Sequence, residues 1–148
     1  MNSPNRYLRQ ARFAPLGDAG QRRLQASRVL ICGCGALGSV LATLLARAGV
    51  GFLRIVDRDF LEWSNLQRQV LFNEADVASG LPKAVLAGEK LRAINSEIDI
   101  ETMVVDVHAG NIDALAKDVQ LILDGTDNFE IRFLLNDFAV HHGIPWVF

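Results

Sequence analysis

The stretch that most constrains this chain runs from Arg28 to Asp57 and reads RVLICGCGALGSVLATLLARAGVGFLRIVD. Val29, Leu30 and Ile31 form the short apolar run of a buried strand. Gly33, Gly35 and Gly38 follow it in the spacing G-x-G-x-x-G. Leu37 to Ala48 is apolar with few breakers, which predicts a buried helix. Gly49 and Gly51 predict its C-terminal end. Phe52 to Val56 reads as a second strand, closed by Asp57 about 20 residues after the last glycine. Strand, glycine turn, helix, strand and acid in this order predict a nucleotide-binding βαβ unit.

Each residue type has a physical reason to be there. Gly33 permits a tight turn off the strand. Gly35 lacks a side chain that would keep a phosphate from the backbone. Gly38 allows close packing of the helix. The helix N-terminus offers free N–H groups and partial positive charge to an anion. Asp57 supplies acceptors for ribose hydroxyls. Read alone, the glycines account equally for a close strand–helix turn with no ligand; the matching context on both sides favours the nucleotide.

The remaining composition narrows the classes. The chain has 148 residues, half of them hydrophobic and 22% charged, which suits one globular unit with a real core. A net charge of −2 implies no general affinity for nucleic acid. No apolar run reaches the length of a membrane span, and the first residues lack a signal-peptide core. Cys32 and Cys34, the only cysteines, sit in the glycine turn without metal or disulfide spacing. They read as small buried residues of a cytoplasmic protein.

Residues 1–27 read as a basic helical arm, with Arg6, Arg9, Arg12, Arg22 and Arg23, and residues 28–148 as a nucleotide-binding domain. Such an arm is ordinarily solvated, but Tyr7, Leu8 and Phe13 give it anchors for a body or a partner. After Asp57 comes a polar loop with a short helix starting near Ser64. Pro82 suits the first turn of a helix running to about Ile94, which puts Lys83 near its start. Further strands are expected at Ile100–Val105, Val119–Asp124 and Ile144–Phe148, with helices at Asn111–Lys117 and from Asn128 to Val140. Asp127 or Asn128 is the expected cap of the last helix. Alternation of strands and helices predicts a doubly wound, parallel α/β sheet of order 3-2-1-4-5. Ligands bind such sheets at the carboxyl ends of strands, where the glycine turn, Asp57 and Asp127 meet. His108, His141 and His142 form no metal pattern.

RYLRQ, GCGALG, a D-x-D, SNLQRQ, LPK and DGTDN occur here in order. Together they resemble the ThiF/MoeB/HesA family, relatives of ubiquitin-activating enzymes, over nearly all of Arg6 to Phe148. The resemblance implies ATP- and Mg²⁺-dependent adenylation of the C-terminal glycine carboxylate of a small ubiquitin-like sulfur-carrier protein ending in Gly-Gly. It implies that Gly33, Gly35 and Gly38 line the nucleotide and that Asp57 holds the ribose. Asn65, Arg68 and Lys83 would meet the phosphates, and Asp127 would hold Mg²⁺ near the α-phosphate. Arg9 resembles the arginine that family homodimers offer to the neighbour's ATP.

Such chemistry needs these residue types. Attack of a carboxylate on phosphorus gathers negative charge, which Arg and Lys neutralise. The nucleophile is already an anion, so no general base is obligatory. Two departures stand out: Ala36 follows Gly35 where a glycine is common, and SNLQRQ lies two residues further than usual from Pro82-Lys83. The family's C-terminal half, including its partner-gripping segment and the zinc motifs of some members, has no counterpart here, so the chain reads as an N-terminal half ending in the fifth strand. Two other readings stay open. An NAD-dependent oxidoreductase uses the same βαβ fingerprint but needs no Arg68, Lys83 and Asp127 set. A non-catalytic module would bind nucleotide or a partner without turnover.

Overall fold

The computed structural model describes residues 6–148. Five parallel strands form one sheet: β1 (Arg28–Cys32), β2 (Phe52–Val56), β3 (Asp99–Met103), β4 (Leu121–Asp124) and β5 (Trp146–Val147). Their order is β3-β2-β1-β4-β5, the expected 3-2-1-4-5. The chain leaves β1 towards one edge and returns to place β4 on its other side, so the switch point lies between β1 and β4.

Period-two alternation builds two cores from the same strands. Val29, Ile31, Leu53, Ile55 and Leu123 face helices α3 (Ala36–Ala48) and α5 (Lys83–Ile94) through Ala42, Ala46, Leu86, Ala87 and Leu91. Leu30, Cys32 and Ile122 face the other way, onto α6 (Ile112–Leu115) and α7 (Phe129–His142). Strands buried on both faces read as near-continuous apolar runs, as β1 and β2 do. The one charge in β2, Arg54, is buried; it donates to Leu115 O and Lys117 O at 2.7 and 2.9 Å and pairs with Glu101 at 2.9 Å.

Several boundaries move for identifiable reasons. β3 stops at Met103 and not at Val105, because its partner β2 ends where Val56 pairs with Met103. β4 begins at Leu121 and not at Val119: Gln120 instead brackets Arg28, donating from its N and accepting through Oε1. Pro82 is the N-cap and not the first helical residue of α5, held extended by a bridge to Phe60. The helix expected near Ser64 is a single 3₁₀ turn, Trp63–Asn65. Helix α4 (Glu74–Ser79) was not anticipated; Asn73 and Asp76 cap each other's backbone at its start.

The N-terminal segment is not simply solvated. Its helices α1 (Leu8–Ala11) and α2 (Gly17–Ala26) sit at the C-terminal end of α3. Tyr7 is buried and accepts a bond from Asn95 Nδ2 at 2.8 Å. Gln10 and Gln21 both donate to Ala48 O, and Arg6 donates to Ile94 O, so the arm supplies donors to the final carbonyls of α3 and α5. Leu8 and Phe13, named with Tyr7 as anchors, stay exposed. No helix among the described residues is long and apolar enough to cross a membrane.

Candidate nucleotide-binding site

A cleft of about 910 Å³ opens at the carboxyl ends of β1, β2 and β4. Three helices point their N-termini at it: α3 from Ala36, α5 from Lys83 and α7 beyond Asn128. Each brings unpaired N–H groups and the positive end of a helix dipole, which makes the cleft receptive to anions.

The glycine turn is held by interlocked backbone. Gly33 has φ +85°, a left-handed conformation that suits glycine. A Cβ on Gly38 would fall onto the Gly33 carbonyl oxygen, and one on Gly125 would come within 2.8 Å of Gly38 Cα. Gly38 thus packs on its own turn and on the β4–α7 turn. Gly35 differs: a Cβ there would meet only Gln69 Nε2, at 3.7 Å. No side chain caps α3 at Gly35, so its first N–H groups face the cleft.

Asp57 directly follows β2, half-buried in the cleft wall. Its Oδ2 accepts from Cys34 N at 2.6 Å and its Oδ1 from Asp59 N at 2.8 Å. The carboxylate therefore ties β2 to the glycine turn and keeps further acceptor capacity for a ligand. Cys34 beside it is fully buried; burial first and the Asp57 charge second push its thiol up to about 12, with Lys83 acting against them. Cys32 is likewise pushed up to about 12 by burial and then by Asp124. Both thiols are protonated and packed, as small core residues should be.

Lys83, Arg68 and Asp127 line the same cleft. Lys83 is 6% exposed; its Nζ lies 3.3 Å from Asp59 Oδ2, and its backbone N donates to Asp59 O. Arg68 is exposed, with Nη1 donating to Ser64 O at 3.0 Å. Asn65 is buried; its Oδ1 accepts from Glu62 N. Asp127 is exposed in the β4–α7 turn, and the N-cap of α7 is Asn128, which accepts from Glu130 N at 2.8 Å. Capping therefore does not account for Asp127.

The fold brings Gly33, Gly35, Asp57, Asn65, Arg68, Lys83 and Asp127 to one cleft. Gly38 lies beneath it as a support. Arg9 does not reach it. It sits exposed on α1, at the far end of α3, and a helix of 13 residues is about 20 Å long. Sequence reasoning missed three contributors: Asp59, which holds Lys83; Gln69, inside SNLQRQ; and Gly125, whose signal was its place in DGTDN.

Among the described residues no cluster of three or more His, Cys, Asp or Glu side chains forms a metal cage. Magnesium bound with a nucleotide needs less, one or two carboxylates together with phosphate oxygens and water. Asp127 fits that requirement, being exposed in the cleft and unpaired. Asp124 does not: it is 1% exposed, pairs with Arg132 at 3.0 Å and accepts from Thr126.

Comparison with known proteins agrees with this architecture. The chain is 51% identical over 143 residues to the sulfur carrier protein ThiS adenylyltransferase of Bacillus subtilis, covering 97% of this chain and 43% of that protein. It is 46% identical over 142 residues to a probable adenylyltransferase/sulfurtransferase, MoeZ, of Mycobacterium tuberculosis, covering 96% and 36%. Thus it spans less than half the length of these curated relatives. Among solved structures, E. coli MccB with AMPCPP and MccA superposes with a TM-score of 0.84 at 28% identity, over 98% of this chain and 44% of that one. The ThiF family matches residues 7–148, and the chain belongs to that family.

Proposed function

We propose that this cleft binds ATP with Mg²⁺ and that the protein adenylates the C-terminal glycine carboxylate of a small ubiquitin-like sulfur carrier. The observation that carries the reading is the charge layout. Asn65, Arg68, Lys83 and the unpaired Asp127 line the same cleft as the open glycine turn. Hydride transfer to a nicotinamide needs neither the cations nor the acid. The relatives support it too: one is named for ThiS adenylation, and MccB was solved with the ATP analogue AMPCPP.

In the reaction a carboxylate oxygen of the carrier attacks the α-phosphorus. A new P–O bond forms, the bond to the β-phosphate bridging oxygen breaks, and pyrophosphate leaves with that electron pair. The open backbone at Gly35 and the α3 N-terminus receive phosphate oxygens. Asp57 accepts from the ribose hydroxyls. Arg68 offers a planar fork of donors and Lys83 a point charge, and together they offset the charge that grows on the leaving group. Asp59 holds Lys83 in the cleft until phosphate competes for it. Asp127, with Asn128 and Thr126 fixing its turn, is the carboxylate for magnesium, which when bound supplies charge neutralisation at the phosphates. No proton has to be removed, so positioning and electrostatics account for the rate.

The protein acts as a homodimer in this reading. Arg9 lies a helix length from its own cleft, so it serves a site only by reaching a neighbour's. A twofold pairing makes that exchange reciprocal. Calorimetric titration with ATP–Mg²⁺ and with NAD tests the nucleotide: ATP–Mg²⁺ should bind more tightly, and tighter binding of NAD would overturn the reading.

A further inference from the structure

The turn that carries Asp127 is built around a buried charge. Asp124, the last residue of β4, has a fully buried side chain, and Arg132 of α7 lies against it with Nε 3.0 Å from Oδ2. The other carboxylate oxygen, Oδ1, accepts from Thr126 N at 2.9 Å and from Thr126 Oγ1 at 2.6 Å. Arg132 Nη2 donates to Thr126 O at 3.2 Å. The pair therefore engages every polar atom of Thr126, the residue directly before Asp127. Directly after Asp127, Asn128 is fixed by accepting the cap bond from Glu130 N. The side chain of Asp127 bonds to no described residue and lines the cleft.

Stability does not account for the pair. The desolvation of two buried charges largely offsets their attraction, and an apolar pair of similar volume is often as stable or more so. Nor does the pair cap α7, since Asn128 does that. What the two charges secure is geometry. Arg132 makes two contacts from one planar fork, to the carboxylate and to the Thr126 carbonyl. Its guanidinium carbon lies 5.3 Å from the centre of the Phe129 ring and 5.4 Å from that of Phe148, so aromatic faces steady the fork as well.

We propose that Arg132 and Asp124 are positioning residues for the magnesium carboxylate: by fixing Thr126 they hold Asp127 turned to the cleft. This rests on the ATP–Mg²⁺ reading above. The test is calorimetric titration with ATP, once in excess Mg²⁺ and once in EDTA, alongside thermal melting. It compares wild type, Asp127→Asn, Arg132→Lys and the double variant Asp124→Asn, Arg132→Met. Lysine keeps a charge beside Asp124 but has no fork with which to reach Thr126 O. The double variant leaves no unpaired charge buried. ATP affinity in Mg²⁺ should fall about tenfold in both Arg132 variants, the loss typical when a group that orients a metal ligand is removed. Affinity in EDTA should be unchanged. Added to Asp127→Asn, Arg132→Lys should weaken binding in Mg²⁺ no further, because both act through one carboxylate. If Asp127→Asn weakens binding in Mg²⁺ and a folded Arg132 variant matches wild type, the proposal fails while the reading of Asp127 stands. Equal losses in Mg²⁺ and in EDTA, a further loss on top of Asp127→Asn, or failure of both Arg132 variants to fold makes the pair structural and overturns it. Wild type whose ATP affinity is indifferent to Mg²⁺, or Asp127→Asn that matches wild type in Mg²⁺, overturns both readings.

Discussion

Two glycines three residues apart should fail in opposite ways when a methyl group is added. In Gly38→Ala the new Cβ lands on the Gly33 carbonyl oxygen, with Gly33 C at 2.8 Å. Both atoms belong to backbone pinned on two sides: Gly33 N bonds Val56 O, and Gly125 N bonds Cys32 O. Neither neighbour is the loose end of a side chain, so the whole turn must shift. Overpacking of this kind costs about 1–3 kcal/mol. For a chain of this size each kcal/mol lowers Tm by about 2–4 °C, so a drop of roughly 2–12 °C is expected. In Gly35→Ala the Cβ meets only Gln69 Nε2 at 3.7 Å, an ordinary contact, and φ is −82°. Stability should stay within about 0.5 kcal/mol. The methyl group instead occupies the approach to the α3 N-terminus, and ATP–Mg²⁺ affinity should fall by about tenfold or more. Thermal melting followed by circular dichroism, with calorimetric titration of the same samples, reads both effects. Equal destabilisation by the two substitutions, or wild-type ATP affinity in Gly35→Ala, would refute the division of roles between the glycines.

Other outcomes follow from the same geometry. Asp127→Asn should lower ATP–pyrophosphate exchange by about 10²–10³-fold, roughly 3–4 kcal/mol, with an unchanged melting curve, because Asn128 and not Asp127 caps α7; exchange within twofold of wild type would remove Asp127 from the site. Mixing inactive Arg9→Ala and Asp127→Asn proteins should restore part of the activity, since a mixed dimer holds one site with both native residues; no recovery despite subunit exchange would mean Arg9 does not act across subunits. The buried thiols should make stability fall at high pH. An unfolded thiol ionises near its ordinary value of 9.0, whereas Cys32 and Cys34 hold their protons to about 12. Their contribution is complete below 9 and is lost as pH rises towards 12, at up to about 1.4 kcal/mol per pH unit for each thiol. Urea unfolding of wild type and of the Cys32→Ala, Cys34→Ala double variant between pH 8 and pH 11 checks this, and parallel pH slopes would contradict it.

The βαβ core was legible because its signals are local. The apolar run of β1, the glycine turn and Phe52–Val56 each carry their own pattern, and Gly49 adopts the left-handed cap its position suggests. Strand order followed from right-handed crossovers and the placement of the turns. Features set by tertiary pairing were not legible. Val104 and Val105 look like strand but have no β2 residue left to pair with. Helix α4 is announced by a capping box of Asn73 and Asp76, an acid standing where the usual pattern has Glu or Gln. Tyr7, Leu8 and Phe13 read alike as anchors of the arm, and only the tertiary pairing with Asn95 marks Tyr7 as the one that is buried. At the site, most residues named by motif converged on the cleft while Arg9 did not, and the pairing of Lys83 with Asp59 and the unpartnered Oε1 of Gln69 depend on segments far apart in sequence or on packing depth.

The central claim is adenylation of a carrier's C-terminal carboxylate, and the most direct measurement is carrier-dependent ATP–pyrophosphate exchange. The protein is incubated with ATP, Mg²⁺, labelled pyrophosphate and the ubiquitin-like sulfur carriers of the same organism, each with and without its C-terminal Gly-Gly. Label should enter ATP only with a carrier whose tail is intact, and the Arg68→Ala and Lys83→Ala variants should suppress it. Tight binding of ATP–Mg²⁺ with no exchange in the presence of any intact carrier would contradict the account, leaving a nucleotide-binding module without this chemistry.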